Sequence, residues 1–343
     1  MAYTSIDDPS KHFQAEDYTG TGATQSVGNT GNSNLKPDLV WIKERNNSNT
    51  NHSLFDSSRG ATKEIITNGG NAEATDAQLL TQFDTDGFTV GTNGGVNGSG
   101  DSYIAWQWKA NGGTTSSNTD GTSTTTVQAN TTAGFSIVLG SFTGSTKTYG
   151  HGLGIAPDVV MWKNRSNTNS WLLFTTVVDG THDYGIPNQG NNFSATGYDV
   201  PTSTVFYGND DASTNFVAYC FAQKQGFSKF GKFVGNGSTN GPFVYTGFKP
   251  AWLMIKNTSV TNTRWRIIDG TKINPTNVTD TQLFMEDDLA ENTNSVHNID
   301  LLSNGFRMRT SQSDQNNSGS NIFYMAFAEN PFVTSTGIPT TAR

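Results

Sequence analysis

One short stretch is written three times along this chain. The copies are Pro37-Asp38-Leu39-Val40-Trp41-Ile42-Lys43, Pro157-Asp158-Val159-Val160-Met161-Trp162-Lys163 and Pro250-Ala251-Trp252-Leu253-Met254-Ile255-Lys256. Each is a proline, four or five apolar residues and a lysine. Apolar runs this short, rich in Val, Ile and Trp and bounded by turn residues, read as buried strands; a helix needs a longer periodic pattern. Proline suits the first position of a strand, where no ladder N–H is yet required. A stretch recurring in this way marks a repeated supersecondary unit, and the rest of the chain falls into place around it.

The same order of elements surrounds each copy. An aromatic-x-Gly step stands upstream at Tyr18-Thr19-Gly20, Phe142-Thr143-Gly144 and Phe233-Val234-Gly235. A polar loop (45–51, 165–170, 257–263) follows the key strand, and then a second apolar run begins at His52, Trp171 and Trp265. Two strands joined by a short polar loop make a hairpin whose tip is free to vary. Further on, Asp86-Gly87-Phe88, Gly197-Tyr198 and Asn304-Gly305-Phe306 signal a turn entering a strand. Each unit closes on its most apolar run: Tyr103-Ile104-Ala105-Trp106-Gln107-Trp108, Phe216-Val217-Ala218-Tyr219-Cys220-Phe221 and Ile322-Phe323-Tyr324-Met325-Ala326-Phe327. A small Ala among large residues in each suggests interdigitation of two facing sheets. The interval from Pro37 to Pro157 exceeds that from Pro157 to Pro250, mostly through residues 111–132, whose Gly, Ser, Thr and Asn read as a flexible linker. Within it, the β-branched residues of 122–130 also suit an edge strand. The second junction is short, so repeats two and three are expected to be held more rigidly than one and two.

Composition excludes several classes. Charged residues are 15% of the 343, against roughly 25% in average soluble proteins. Asn, Thr, Ser and Gly therefore supply the polar surface, and with 11% aromatics this is an all-β signature. The net charge of −8 and the lack of a basic run argue against nucleic acid as a partner. No apolar run approaches the ~20 residues of a membrane span, and the first residues lack the pattern of a secretory signal peptide. Cys220, the single cysteine, sits in an apolar strand and reads as a buried, inert thiol.

Motifs for chemistry are sparse. Asp84-Thr85-Asp86-Gly87 begins like a calcium loop, but its twelfth position is Gly95, so a turn is expected. Glu286-Asp287-Asp288 reads as a solvated acidic loop. The five histidines show no metal-ligand spacing, and the glycines around His151 read as serving the turn before Pro157. No nucleophile elbow, phosphate loop or dinucleotide fingerprint occurs, and no acidic pair recurs across the repeats. No catalytic, metal or cofactor site is therefore expected, and the protein is read as not an enzyme. Trp171 and Trp265, flanking the hairpin loops, are the candidates for a glycan-facing aromatic surface, although their place at the start of apolar strands favours burial in the core.

The segments Met1-Ala2-Tyr3-Thr4-Ser5-Ile6-Asp7-Asp8-Pro9, Asp56-Ser57-Ser58-Arg59-Gly60-Ala61-Thr62-Lys63, Gly152-Leu153-Gly154-Ile155-Ala156-Pro157, Gly226-Phe227-Ser228-Lys229-Phe230-Gly231 and Gly337-Ile338-Pro339-Thr340-Thr341-Ala342-Arg343, with the first key strand, carry a resemblance. Over its whole length the chain resembles a family of virion structural proteins from tailed phages of marine bacteria, cyanophage- and pelagiphage-like, with fibre-like repeats. The resemblance implies a tail fibre-like adhesin that attaches to a host-surface glycan through its loop tips. A capsid-surface decoration protein is the alternative reading, and a glycan depolymerase a third. It implies other virion proteins as partners, a homo-oligomer with a trimer favoured, and a place on the virion surface after synthesis in the host cytoplasm. It carries over no catalytic residues. The fold expected is all-β: three tandem β-sandwich repeats, concanavalin- or jelly-roll-like, separately packed in one elongated chain. The boundaries are an N-terminal arm (1–12), repeats at 13–110, 133–225 and 226–330, the linker (111–132) and a C-terminal arm (331–343).

Overall fold

The computed structural model describes residues 2–340 and is all-β, with short helical turns only. Each repeat builds one large antiparallel sheet in the same order. In the first, the opening strand Phe13–Thr19 pairs with the closing strand Ser102–Trp108, which pairs with the key strand Leu39–Glu44. The key strand pairs with the return strand Ser53–Asp56, and Lys63–Ile66 and Ala74–Thr75 complete the sheet. The second repeat repeats this from Phe135–Ser141, Asn215–Phe221, Val159–Asn164 and Leu172–Thr175. The third repeats it from Ser228–Val234, Asn321–Pro331, Phe248–Asn257 and Arg266–Asp269. A two- or three-stranded sheet covers one face of each large sheet.

The key strands are buried along their whole length, and period-two geometry explains why. Val40 and Ile42 point into a core shared with the small sheet of their own repeat, as do Val160 and Trp162, and Leu253 and Ile255. The Ala residues of the closing strands (Ala105, Ala218, Ala326) face these same cores. The alternate residues Leu39 and Trp41, Val159 and Met161, and Trp252 and Met254 all enter one central core common to the three repeats.

The expectation of separately packed sandwiches in an elongated chain is therefore corrected. The key and closing strands of each repeat do share cores, but Leu39, Trp41, Ile104 and Trp106 pack into the common one. A large sheet has two apolar faces and the small sheet covers one, so the three exposed faces close on each other. At the centre Trp41 meets Trp106 edge-on at 5.4 Å, and Trp252 meets Trp106 at 6.3 Å and Trp108 at 5.8 Å. Edge-to-face packing of this kind is favoured by the ring quadrupoles. The leftover cavity, lined by residues of all three repeats, is only about 20 Å³.

The repeats interlock in a closed cycle at the hairpin-tip end. Arg45 O accepts from Glu291 N at 2.7 Å, Arg165 O from Glu73 N at 2.9 Å, and Thr258 O from Phe193 N at 3.0 Å. These bonds join repeat one to three, two to one and three to two. The first two are reinforced by ion pairs, Arg45–Glu291 and Arg165–Glu73, both at 2.7–2.8 Å. The three key lysines sit just below. Lys43 donates to Asp288 O across one seam, Lys256 to Gly190 O across another, and Lys163 to Asn164 O and Asn167 O within its own loop. Burial lowers all three ammonium pKa values from 10.5 to about 8.

Residues 111–132 are not a free linker. Ser116–Asn118 and Thr125–Asn130 extend the second sheet by two strands, so 122–130 does hold a strand, over 125–130, but Ser116–Asn118 and not this strand forms the outer edge. Asp38 and Gln128 bind this segment to repeat one: Asp38 accepts from Ala110 N and Gly112 N, and Gln128 donates to Ser57 and Ser58. The first junction is thus tied down as well as the second. The arms are tied within the chain too. Thr4 donates to Gln225 O at 2.7 Å, Ile6 is buried in the central core, and Asp7 accepts from Ser335 N and Oγ. A Cβ at Gly226, whose φ is +80°, would stand 2.8 Å from Thr4, so this glycine makes the seat for the arm.

Candidate functional site

The tryptophans proposed as a glycan surface do not lie on the surface. Trp171 and Trp265 are both fully buried in the central core. Their ring N–H groups are spent across the seams, Trp171 on Ile66 O at 2.8 Å and Trp265 on Gln189 O at 3.0 Å. His52 occupies the matching place in repeat one, buried and accepting from Trp41 Nε1 at 3.0 Å. In the second and third repeats the residue just before the return strand is a seam anchor, while His52 holds Trp41 of its own repeat, and the sugar-platform reading of Trp171 and Trp265 is corrected accordingly.

Other expected features take structural places. Asp84-Gly87 is a turn, with Asp84 N donating to Gly87 O, and Gly87 at φ +98°. His151 is buried, accepting from Leu153 N while its other ring nitrogen faces Thr202 O. Cys220 is buried, and that burial pushes its thiol up to about 12. The acidic run is not a solvated loop. Burial raises the Glu286 carboxyl to about 7; it accepts from Trp265 N, while Asp287 pairs with Arg264. Asp56-Ser57-Ser58-Arg59 is a buried lock between repeats: Asp56 holds Arg59 and accepts from Tyr219 of the second repeat at 2.7 Å.

The aromatic side chains that do reach the surface gather on the third repeat. The strand Phe243–Tyr245 is the outer edge of its small sheet, paired only with Gly305–Met308. Alternation puts Val244 into the core and leaves Phe243 and Tyr245 about half exposed on the same face. A Cβ at Gly305 would stand 3.1 Å from the Phe243 ring, so the absence of a side chain lets that ring lie against the neighbouring strand.

The N-terminal arm completes the surface. Tyr3 donates its hydroxyl proton to Gly247 O at 2.8 Å, and the Tyr245 hydroxyl lies 3.0 Å from it. With the Tyr3 proton committed, Tyr245 is the donor of that second bond, and its oxygen lone pairs face outward as acceptors. Burial and this pairing raise the Tyr3 phenol above its ordinary range, so its hydroxyl stays protonated at neutral pH. A pocket of about 280 Å³ opens beside the pair, walled by Gln223, Gln225, Ser228, Lys229 and Thr246. The Gln223 Oε1 atom is covered and has no hydrogen-bond donor among the described residues. Aromatic faces beside amides, hydroxyls and one ammonium can stack on a sugar ring and hydrogen-bond its hydroxyls. The sequence signal for this surface was Phe243-Val244-Tyr245 after Pro242, whose alternation sends both rings to one side.

Among the described residues no group of three or more His, Cys, Asp or Glu is placed to hold a metal ion, and no helix is long and apolar enough to cross a membrane. A family model described as a domain of unknown function (DUF7483) matches residues 8–331. No curated protein and no solved structure matches the chain.

Proposed function

We propose that this chain, which belongs to the family described as a domain of unknown function (DUF7483), is a non-catalytic structural protein of a phage virion surface that attaches to a host glycan. The virion part rests on the sequence resemblance. The attachment part rests on one observation: the Phe243 and Tyr245 rings, about half exposed among the described residues, on a strand edge beside a polar pocket. Tail fibre is the first location in this reading, and capsid-surface decoration the second. The second is favoured by the self-contained closure of the three repeats, which suits a unit that docks whole onto a particle. The partners in this reading are other virion proteins, the host glycan and further copies of the chain, with a trimer as the sequence-based expectation. Such copies meet through outer sheet faces, since both arms are engaged within their own chain.

The test is binding of the purified protein to polysaccharide extracted from host cells, for the native chain and for Phe243→Ala and Tyr245→Ala. Both variants keep native stability to within about 0.5 kcal/mol, as surface changes do, and lose binding. Equal binding by all three proteins removes the platform from the reading. Gold labelling of intact virions with an antibody to the chain checks its location, and label on neither tail nor capsid removes the virion assignment.

A further inference from the structure

We propose that the seam between the first and third repeats carries a separate binding site for one uncharged sugar unit. The site is a half-open pocket of about 290 Å³, and it does not depend on the aromatic platform. It exists because small residues replace plugs found in the other repeats. On the opening strand Ala15 lies opposite Trp106; the matching pairs are Ile137 opposite Tyr219 and Phe230 opposite Met325. On the key strand the third repeat has Ala251 where the others have Asp38 and Asp158. Those two carboxylates fill their sites and accept backbone N–H groups, Asp38 from Ala110 and Gly112, Asp158 from Gln223. With Ala15 and Ala251 in place of bulk, the third seam is left hollow.

The walls select a neutral ligand. Four charges line or border the pocket, and they are already matched: Lys272 pairs with Glu16 at 2.8 Å, and Lys249 pairs with Glu329. Glu16 also accepts from Thr30 N and Oγ1. A charged ligand has to break one of these pairs, and an unpartnered charge in such a half-buried place is costly. The groups left free are neutral. The side-chain amides of Asn32 and Asn330 line the pocket and make no hydrogen bond among the described residues. An amide offers donors and an acceptor together, which matches the vicinal hydroxyls of a sugar. The alanine side chains and the Phe13 ring supply the apolar floor for its C–H face. The volume is at the small end for ligand sites, which fits one ring and excludes a stacked chain.

The experiment is saturation-transfer NMR on the full chain with the methyl glycosides of glucose, galactose and mannose. At least one of them receives transfer from the native protein. Ala15→Ile, which copies the second repeat, and Asn330→Ala each weaken that transfer about tenfold, the size expected for one lost hydrogen bond or a blocked floor. Tyr245→Ala leaves it unchanged. No transfer to any of the three glycosides overturns the proposal. So does transfer that survives both seam substitutions, or that is lost only with Tyr245→Ala, which assigns it to the platform. Thermal melting checks that Ala15→Ile is folded; Asn330→Ala, half-buried at the pocket wall, carries the test if it is not.

Discussion

Two tryptophans of the central core differ in what their ring nitrogens do, and that difference sets their weight. Trp106 Nε1 donates to Asp269 Oδ2 at 2.9 Å, joining repeat one to repeat three, while Trp252 Nε1 has no acceptor among the described residues. Trp106→Ala costs about 3–5 kcal/mol by cavity formation. Trp106→Phe still leaves the buried Asp269 carboxylate short of a donor, so it costs more than Trp252→Phe, which removes an unsatisfied group. Urea unfolding of the two Phe variants decides this, and a larger loss in Trp252→Phe contradicts it. The key lysines predict a pH effect. Their folded pKa values, about 8, lie below the unfolded value of 10.5. Above pH 8 the unfolded chain therefore holds more protons, and stability rises with pH. The rise ends as the unfolded thiol and phenols ionise, since Cys220 and several buried tyrosines have raised folded values. Denaturant midpoints measured from pH 7.5 to 9 should climb, and less steeply in Lys163→Met.

At the scale of elements, the key, return and closing strands were legible because an apolar run with polar ends has few other fates. What covered their second face was not legible. Burial of Leu39 or Met161 requires some partner, but nothing in either residue says that the partner is another repeat rather than a second sheet. Trp171 and Trp265 misled for the same reason: a large ring beside a polar loop fits both a sugar platform and a seam, and only the backbone carbonyl it meets tells them apart. Composition likewise gave residues 111–132 the look of a linker, because the short strands Ser116–Asn118 and Thr125–Asn130 that they form carry few apolar residues. The aromatic platform was readable from the alternation at Phe243-Val244-Tyr245, but its completion by Tyr3 needed a contact across most of the chain. The terminal arms give the prediction at this scale. Deleting residues 1–8 removes Ile6 from the central core and Tyr3 from Gly247, and lowers stability by about 2–4 kcal/mol. Light scattering should show the same mass with and without the arm, since its contacts are internal; a fall in mass would mean that it bridges copies.

For the whole molecule, the governing fact is that three interfaces of one kind close a cycle, with repeat three returning to repeat one through Arg45–Glu291 and Trp106–Asp269. No repeat has a free large face, so none is expected to be stable when excised. The residues near the two chain ends meet at Asp7 and Ser335. A ring in which every unit is bonded to both of its neighbours has no preferred starting point: covalent order along the chain matters less than the cyclic order of the units. Circular permutation follows. A short Gly-Ser bridge from residue 340 to residue 2, with new ends opened in the exposed turn near Asp120, should give a protein with the native fold and a melting temperature close to native. A permutant that fails to fold while the bridged, uncut parent remains stable would show that the direction of the chain, and not only the ring of contacts, specifies the structure.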